Sequence, residues 1–484
     1  MTVRRGALQE TAADTRVVGL FEGEPLAEPE LQELVDRGEA KATVKKVAVS
    51  HEAAPGGGQL RRVLIAGLGK RDELNPEKTR VAASAVAARA KELGAASLSW
   101  AAPEGMAGAI VEGTLLALYS FDRFKSKQDD DGERDRIESL ELAGDSVAEA
   151  EAEAEVERAR VSANAQNAAR DLQNLPANVA DPSFLAGRAE EIAAQHSALE
   201  LEVLDRETIG ALGMGAFSAV AQGTYAEPRL IVLRYRGGDE GPHLGFVGKA
   251  VTFDTGGISL KPSGKMSEMK FDMSGGAAVL EALDAIATLA IPVTVTAVVP
   301  ATENMPSGRS VRPGDIVTAM NGKTIEVNNT DAEGRLILAD SLCYAIEQGV
   351  ERIVDLATLT GAIIVALGST HAGLFSNDDE WFGEVEAACA ATGELGWRLP
   401  LHQEYRDLIK GKYADLDNAP EARKASPITA AEFLHAFVED VPWVHMDIAG
   451  TAWDLGRPYV GKGASGFGVR SLIELASRAA SSTP

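Results

Sequence analysis

Three short polar clusters hold the residue types and spacings that could do chemistry. Val247–Lys261 (VGKAVTFDTGGISLK) places Lys249 and Asp254 just after an apolar run, then Gly256-Gly257, where the backbone can turn tightly, and then Lys261. Met266–Gly276 (MSEMKFDMSGG) sets Asp272 ahead of an Ala-rich segment. Asn328–Leu336 (NNTDAEGRL) carries Asp331, Glu333 and Arg335 where a helical pattern begins. Asp331 and Glu333 lie two residues apart, so in an extended segment both project to one side. Acids at that place also cap a helix, with Arg335 as their ion-pair partner. For this cluster alone both readings stand.

If the clusters converge, the carboxylates of Asp254, Asp272, Asp331 and Glu333 share one crevice. Like charges that close do not all stay ionised without a counter-charge. Two divalent cations supply it, and a carboxylate-rich pair site suits zinc, manganese or magnesium. Such ions, about 3.5–4 Å apart, hold a bridging hydroxide and polarise a carbonyl or phosphoryl oxygen. Lys249 is then either a salt-bridge partner or, as a neutral amine, a ligand.

Other chemistries find little support. The seven histidines (His51, His196, His243, His371, His402, His435, His445) are scattered and form no HExxH motif, and His445 reads as a structural core residue. GASGFG at Gly463–Gly468 lacks a strand–GxGxxG–helix setting and reads as a turn. No Walker motif and no GxSxG elbow is present. Cys343 and Cys389 are the only cysteines, which excludes a disulfide framework or a thiolate zinc site and favours a reducing compartment. Both read as small buried side chains.

The elements that must position these clusters belong to a chain of 484 residues with ordinary globular composition, 45% hydrophobic and 25% charged. That length predicts two or three domains, with core enough to fold without staples. Lys+Arg 47 against Asp+Glu 72 leaves a net charge of −25, which disfavours general nucleic-acid binding. The N-terminus lacks a signal-type apolar region. Ala285–Thr302 and Leu356–Asn377 are interrupted by Pro or Gly and do not read as spanning helices, so a cytoplasmic protein is expected.

Residues 1–160 predict an N-terminal α/β domain. Lys41–Ser50 and Arg62–Ala66 read as strands, and Pro76–Leu93 and Glu112–Lys127 as helices. The charged stretch Asp129–Arg160 predicts a solvated loop and then a long exposed connecting helix, since Ala148–Arg170 is rich in helix formers. Residues 161–484 predict the catalytic domain. Leu230–Tyr235, Leu244–Val247, Val293–Val299 and Arg352–Leu356 read as buried strands. Gly276–Leu289 and Leu336–Gln348 read as helices, and Ile316–Val327 as a hairpin around Asn321-Gly322. The expected fold is α/β with two domains, each a mostly parallel or mixed sheet flanked by helices, with ligands beyond the carboxyl ends of the strands.

Asn329–Leu336 (NTDAEGRL) resembles the signature of the leucyl aminopeptidase family, also called cytosol aminopeptidases. VGKAVTFDTGGISLKP and MKFDMSGGAAV resemble that family's other metal-site segments, in order and spacing. Arg170–Asn178, Gly213–Thr224, Asp355–Ala362 and His445–Trp453 extend the likeness over 160–484, whereas before residue 160 only VLIAGLGK and LYSFDRFKSK match. The resemblance implies a cytoplasmic homohexamer acting on peptides with two divalent ions, manganese or zinc. It implies Lys249, Asp254, Asp272, Asp331 and Glu333 as ligands, with Asp254 and Glu333 bridging, Lys249 and Asp272 at the looser site, and the Asp331 carbonyl added. Lys261 and Arg335 match the catalytic cations, the arginine holding a bicarbonate that serves as general base. Met269, Asn329, Thr358, Leu359, Gly361 and Ala449 match positions lining the substrate cleft. Ala250 and Thr255 depart from the family's commoner Gly and Ser, without removing a ligand.

The reaction so implied is aminopeptidase cleavage, with a bridging water attacking, Lys261 stabilising the gem-diolate and Leu-like N-terminal residues preferred. Two rivals share part of the pattern. One is a two-metal phosphoesterase, with Lys261 and Arg335 clamping phosphate; the other is a non-catalytic DNA-binding role, against which the net charge speaks.

Overall fold

The computed structural model describes all residues except 5, 55–59, 127–136, 144–148, 239–240, 421–423 and 482–484. It divides into two compact units, Met1–Asn164 with Gly456–Gly461, and Ala165–Leu455 with Lys462–Pro484.

The first unit is built on a six-stranded sheet in the order Thr2–Arg4, Ser139–Ala143, Ser97–Ala101, Thr15–Phe21, Leu60–Gly69, Val47–Ala53. All neighbours run parallel except the last pair. Val17, Leu64 and Trp100 are fully buried at its centre. The helix Pro76–Glu92 starts where Asn75 accepts a bond from the Lys78 amide and Pro76 presets the first turn. Its small face (Ala83, Val86, Ala87, Ala90) is buried.

Three expectations for this unit need correction. The helix expected over Glu112–Lys127 is instead Ala107–Ala117. Residues 122–126 are exposed, so no packing holds further turns, and 127 lies outside the described residues. The strand expected over Lys41–Ser50 is Val47–Ala53, since its start is fixed by pairing with Leu60–Gly69. The charged stretch from Asp129 hides a strand, Ser139–Ala143, ahead of the helix Glu149–Asn174; much of the rest of that stretch lies outside the described residues.

A charge cluster holds the sheet's outer strands. Arg16, fully buried, donates from Nε to Glu52 Oε1 at 2.6 Å and from Nη1 to Glu28 Oε1 at 2.9 Å, and Arg61 Nε reaches Glu52 Oε1 at 2.7 Å. Burial pushes the Glu52 pKa up, but the bonds from Arg16 and Arg61 outweigh it and hold the carboxyl below its ordinary value. A carboxyl lowered on folding adds stability above its unfolded pKa and loses it as pH falls through the folded one. Glu52→Gln is therefore expected to destabilise the protein near neutral pH by about 1–3 kcal/mol, below the full cost of breaking a buried pair because Glu28 still pairs and Glu52 keeps some solvent. Urea unfolding checks this, and the gap to wild type should close under acid.

The second unit centres on a mixed sheet ordered Gly396–Arg398, Ala372–Ser376, Trp443–Asp447, Arg352–Ala357, Leu244–Gly248, Thr294–Asn304, Arg229–Arg236, Leu199–Leu204. The Ala250–Asp254 strand pairs with the far end of Thr294–Asn304, Asp254 opposite Asn304. The three central strands, Arg352–Ala357, Leu244–Gly248 and Thr294–Asn304, run parallel and nearly every residue in them is buried, which is why their sequences are almost continuously apolar. The helices Ser274–Thr288 and Gly334–Glu347 pack on this sheet through small and aliphatic side chains. The hairpin expected around Asn321-Gly322 forms between Asp315–Thr318 and Thr324–Val327, and Leu416–Asp417 adds a parallel third strand. Among the described residues no helix is long and apolar enough to cross a membrane.

Candidate metal centre

Parallel strands end side by side here. Gly248 is paired with Leu356, so Lys249 and Thr358 leave the sheet together at its carboxyl edge. Asp254 ends the next short strand. Asp272 closes the short helix Met266–Met273, and Glu333 stands directly before Gly334–Glu347. These chain-distant places bring carboxylate oxygens of Asp254, Asp272 and Glu333 within 4.8 Å of one another, all three buried. Asp331 joins through Lys261, whose Nζ lies 2.7 Å from Asp254 Oδ2 and also contacts Asp331 Oδ1.

Lys249 runs through the middle of the acids. Its Nζ is 2.9 Å from Asp272 Oδ1, 2.8 Å from Glu333 Oε1 and donates to the Thr358 carbonyl at 3.0 Å. A Cβ at position 334 would sit 2.7 Å from that Nζ, so only glycine lets the lysine pass. Gly256 and Gly257 take positive φ (86° and 64°), which turns the chain from Asp254 back toward Lys261.

The alternative structural reading of Asp331 and Glu333 does not hold. Glu333 occupies the N-cap position, yet its side chain makes no capping bond. Arg335 makes no ion pair with either acid among the described residues; its Nη1 donates to the Asn418 carbonyl at 2.6 Å. The segment is not extended either. Asp331 sits in a turn and Glu333 is helical (φ −79°, ψ −34°), in a loop held by Asn418, which donates to the Asn329 carbonyl, and by Thr330, which donates to the Gly256 carbonyl.

The electrostatics show what the pocket lacks. Burial raises Asp254, with the Glu333 charge adding to it, to about 6. Burial also raises Asp272 well above the ordinary aspartate value, and raises Asp331. Burial works against Glu333 too, but the ammonium groups of Lys249 and Lys261 hold it at about 2. Burial disfavours both ammoniums, yet the surrounding carboxylates outweigh it and both lysine pKa values move up. Four acids thus face two lysines, and two negative charges stay uncompensated when all are ionised. Asp272 Oδ2 is buried with no hydrogen-bond partner among the described residues. Closely set carboxylate oxygens, an orphaned one among them, and a lysine amine fit hard or borderline divalent cations.

A cleft of about 960 Å³ opens beside the acids, with Asn329, Asp331, Arg335, Leu359, Thr360 and Gly361 on its wall. Thr358, behind that wall, donates from Oγ1 to Asp272 Oδ1 at 2.6 Å. Of the other positions expected at the cleft, Met269 lies three positions before Asp272, and Ala449 just past the Trp443–Asp447 strand. Arg335 is buried, its Nε has no hydrogen-bond partner among the described residues, and burial lowers its pKa to about 10. His445 is a core residue, paired with Asp355 at 2.6 Å and stacked on Phe375 and Trp443.

Residues 167–473 match the cytosol aminopeptidase family, catalytic domain, and residues 17–128 match the same family's N-terminal domain. The chain belongs to the cytosol aminopeptidase family. It is 46% identical over 484 residues to the probable cytosol aminopeptidase of Solibacter usitatus and 45% identical to that of Roseiflexus castenholzii, each match covering 98% of both chains. The solved structure of the bottromycin maturation enzyme BotP in complex with Mn superposes with a TM-score of 0.85 at 34% identity, covering 97% of this chain and 100% of that one. An aminopeptidase of this family is a metal-dependent hydrolase, and the buried acids are its candidate metal centre.

Two residues of this cytosol aminopeptidase escape sequence reasoning. Asn304 Nδ2 donates to Asp254 Oδ1 at 2.9 Å and to the Thr330 carbonyl at 3.0 Å, tying the loops that carry Asp254 and Asp331 together. Asn418 accepts on Oδ1 from the Asn328 and Asn329 amides and donates from Nδ2 to the Asn329 carbonyl at 2.7 Å, while its own carbonyl holds Arg335. Asn418 is delivered by the Leu416–Asp417 strand, and nothing local in LDNAP marks it as more than a turn residue.

Proposed function

We propose that this aminopeptidase releases Leu-like N-terminal residues from peptides, with Lys249, Asp254, Asp272, Asp331 and Glu333 holding two divalent cations, manganese or zinc. The Asp331 backbone carbonyl would join these five side chains in holding the pair. The observation that carries this reading is the trio of buried carboxylates within 4.8 Å beside the cleft. A bound cation pair supplies Lewis acidity and a water of lowered pKa.

The chain's own groups do the rest. Lys261 offers Nζ–H to the carbonyl oxygen on which negative charge develops. Arg335 offers its unpartnered Nε to a bicarbonate ion beside the cleft, and so fixes where the proton is taken up. Met269, Asn329, Thr358, Leu359, Gly361 and Ala449 shape the space for the substrate's first side chain. The resemblance of residues 160–484 also supports a homohexamer in the cytoplasm.

The free α-amine is what makes such a site an exopeptidase, because an internal peptide bond has no amine to offer the acids and their cations. Acetylating leucinamide is therefore expected to lower kcat/KM by about 10⁴-fold, the scale on which sites built for a polar group reject analogues without it. Parallel kinetics on leucinamide and N-acetyl-leucinamide check this. Comparable rates would refute amine anchoring.

A further inference from the structure

Asp447 is nearly inaccessible (1% exposed) and has no hydrogen bond to the acids of the metal centre among the described residues, while its carboxylate collects four donors. Oδ1 accepts from the Leu359 amide at 3.1 Å, the Thr360 amide at 3.4 Å and the Ala449 amide at 3.2 Å. Oδ2 accepts from Thr360 Oγ1 at 2.7 Å. Asp447 stands opposite Ala357 across two parallel strands, so it meets the chain just where the 358–361 segment leaves the sheet.

That segment is held at both ends. Thr358 is tied to Asp272 and Lys249 at the acids, while Leu359 and Thr360 are tied to Asp447 behind them. Thr360 passes the tether on: its Oγ1 accepts from the Ile363 amide and so caps the helix Gly361–Leu367. Leu359, Thr360 and Gly361 form one wall of the cleft. Ala449, on the other loop that Asp447 binds, is thereby fixed relative to them.

We propose that Asp447 is a positioning residue that sets the cleft wall for the substrate's N-terminal side chain. The inference rests on the aminopeptidase reading above, with Leu359, Gly361 and Ala449 shaping that space. A carboxylate suits the task because it accepts all four bonds and donates none. An amide of the same size would put a donor against the Thr360 hydroxyl.

The test is Asp447→Asn, with Thr360→Val removing the same bond from the other side and Thr360→Ser restoring it. Metal-loaded enzyme is assayed on leucinamide and alaninamide, with metal content and amide hydrogen exchange over residues 356–363 as further readouts. Asp447→Asn and Thr360→Val should each raise KM for leucinamide about tenfold with kcat within about threefold, the pattern of lost ground-state fit. The Leu-over-Ala preference should shrink, exchange at Leu359 and Thr360 should quicken, and metal content should stay constant. Thr360→Ser should behave as wild type. Unchanged KM and exchange in Asp447→Asn would overturn the proposal, and so would a fall in kcat that tracks loss of metal, since that marks a support of the ligands alone. A wild type inactive on both amides would instead sink the aminopeptidase reading, and this inference with it.

Discussion

Replacing Lys261 by alanine is expected to lower kcat on leucinamide by about 10²–10³-fold, the usual effect of deleting one donor to a developing oxyanion, while the enzyme keeps its metal. The second half of that result is what makes the first informative. Lys261 Nζ lies 2.7 Å from Asp254 Oδ2 and touches Asp331, both proposed ligands. Were its role only to support those acids, removing it would empty the site. The charges argue otherwise. Lys261 is a cation among carboxylates, its own pKa held up by Asp254, Glu333 and Asp331 against burial, so it competes with a bound cation for the same charge. Its removal should leave cation binding intact or strengthen it. Metal analysis of the purified variant beside steady-state kinetics checks both halves. Loss of metal in step with activity would assign Lys261 a structural role.

Chelation is expected to abolish leucinamide hydrolysis, and manganese or zinc to restore it; full activity in metal-free buffer would end the metal reading. The same cations should stabilise the fold, by about 2.7 kcal/mol when present at 100 times their dissociation constant. The effect should depend on pH in a defined direction. In the metal-free protein, burial and Glu333 raise Asp254 to about 6. A carboxyl raised on folding costs stability as pH climbs from its unfolded value, about 3.9, through its folded one. Cations remove that cost by binding the ionised form, and they compete with protons on Asp254, Asp272 and Lys249. The metal-induced rise in melting temperature should therefore be larger at about pH 7.5 than at about pH 5. Equal rises at both would mean that these groups are not the ligands.

The site was legible in the sequence to different depths. Lys249, Asp254, Asp272, Asp331 and Glu333 stand in three continuous segments, and their types alone announce a cation site once convergence is assumed. Lys261 and Arg335 stand in the same segments, and only the family resemblance implies their catalytic roles. Local rules worked where the signal was local: the helix expected over Pro76–Leu93 forms over Pro76–Glu92, and Asn321-Gly322 lies between the strands of a hairpin. They failed where packing decided the outcome. The 112–127 segment has a helical pattern, but the helix ends at Ala117 and residues 122–126 lie exposed. Ser139–Ala143 lies in an acidic stretch and becomes a strand because Ser97–Ala101 and Thr2–Arg4 pair with it.

The sequence by itself determined the family, the chemical identity of the acids and cations, and the alternation of strands and helices that carries them. The family follows from the resemblance of whole motifs, the rest from residue type and short-range spacing. Only the tertiary structure decided that the three segments meet, that the Glu333 side chain makes no capping bond, and that Asp272 keeps a buried oxygen with no hydrogen-bond partner among the described residues. It alone gave work to Asn304, Asn418 and Asp447, whose bonds reach across the chain to Asp254, Asn329 and Leu359. Such a residue's role is set by what the fold places opposite it, and no periodicity or motif around it records that neighbour.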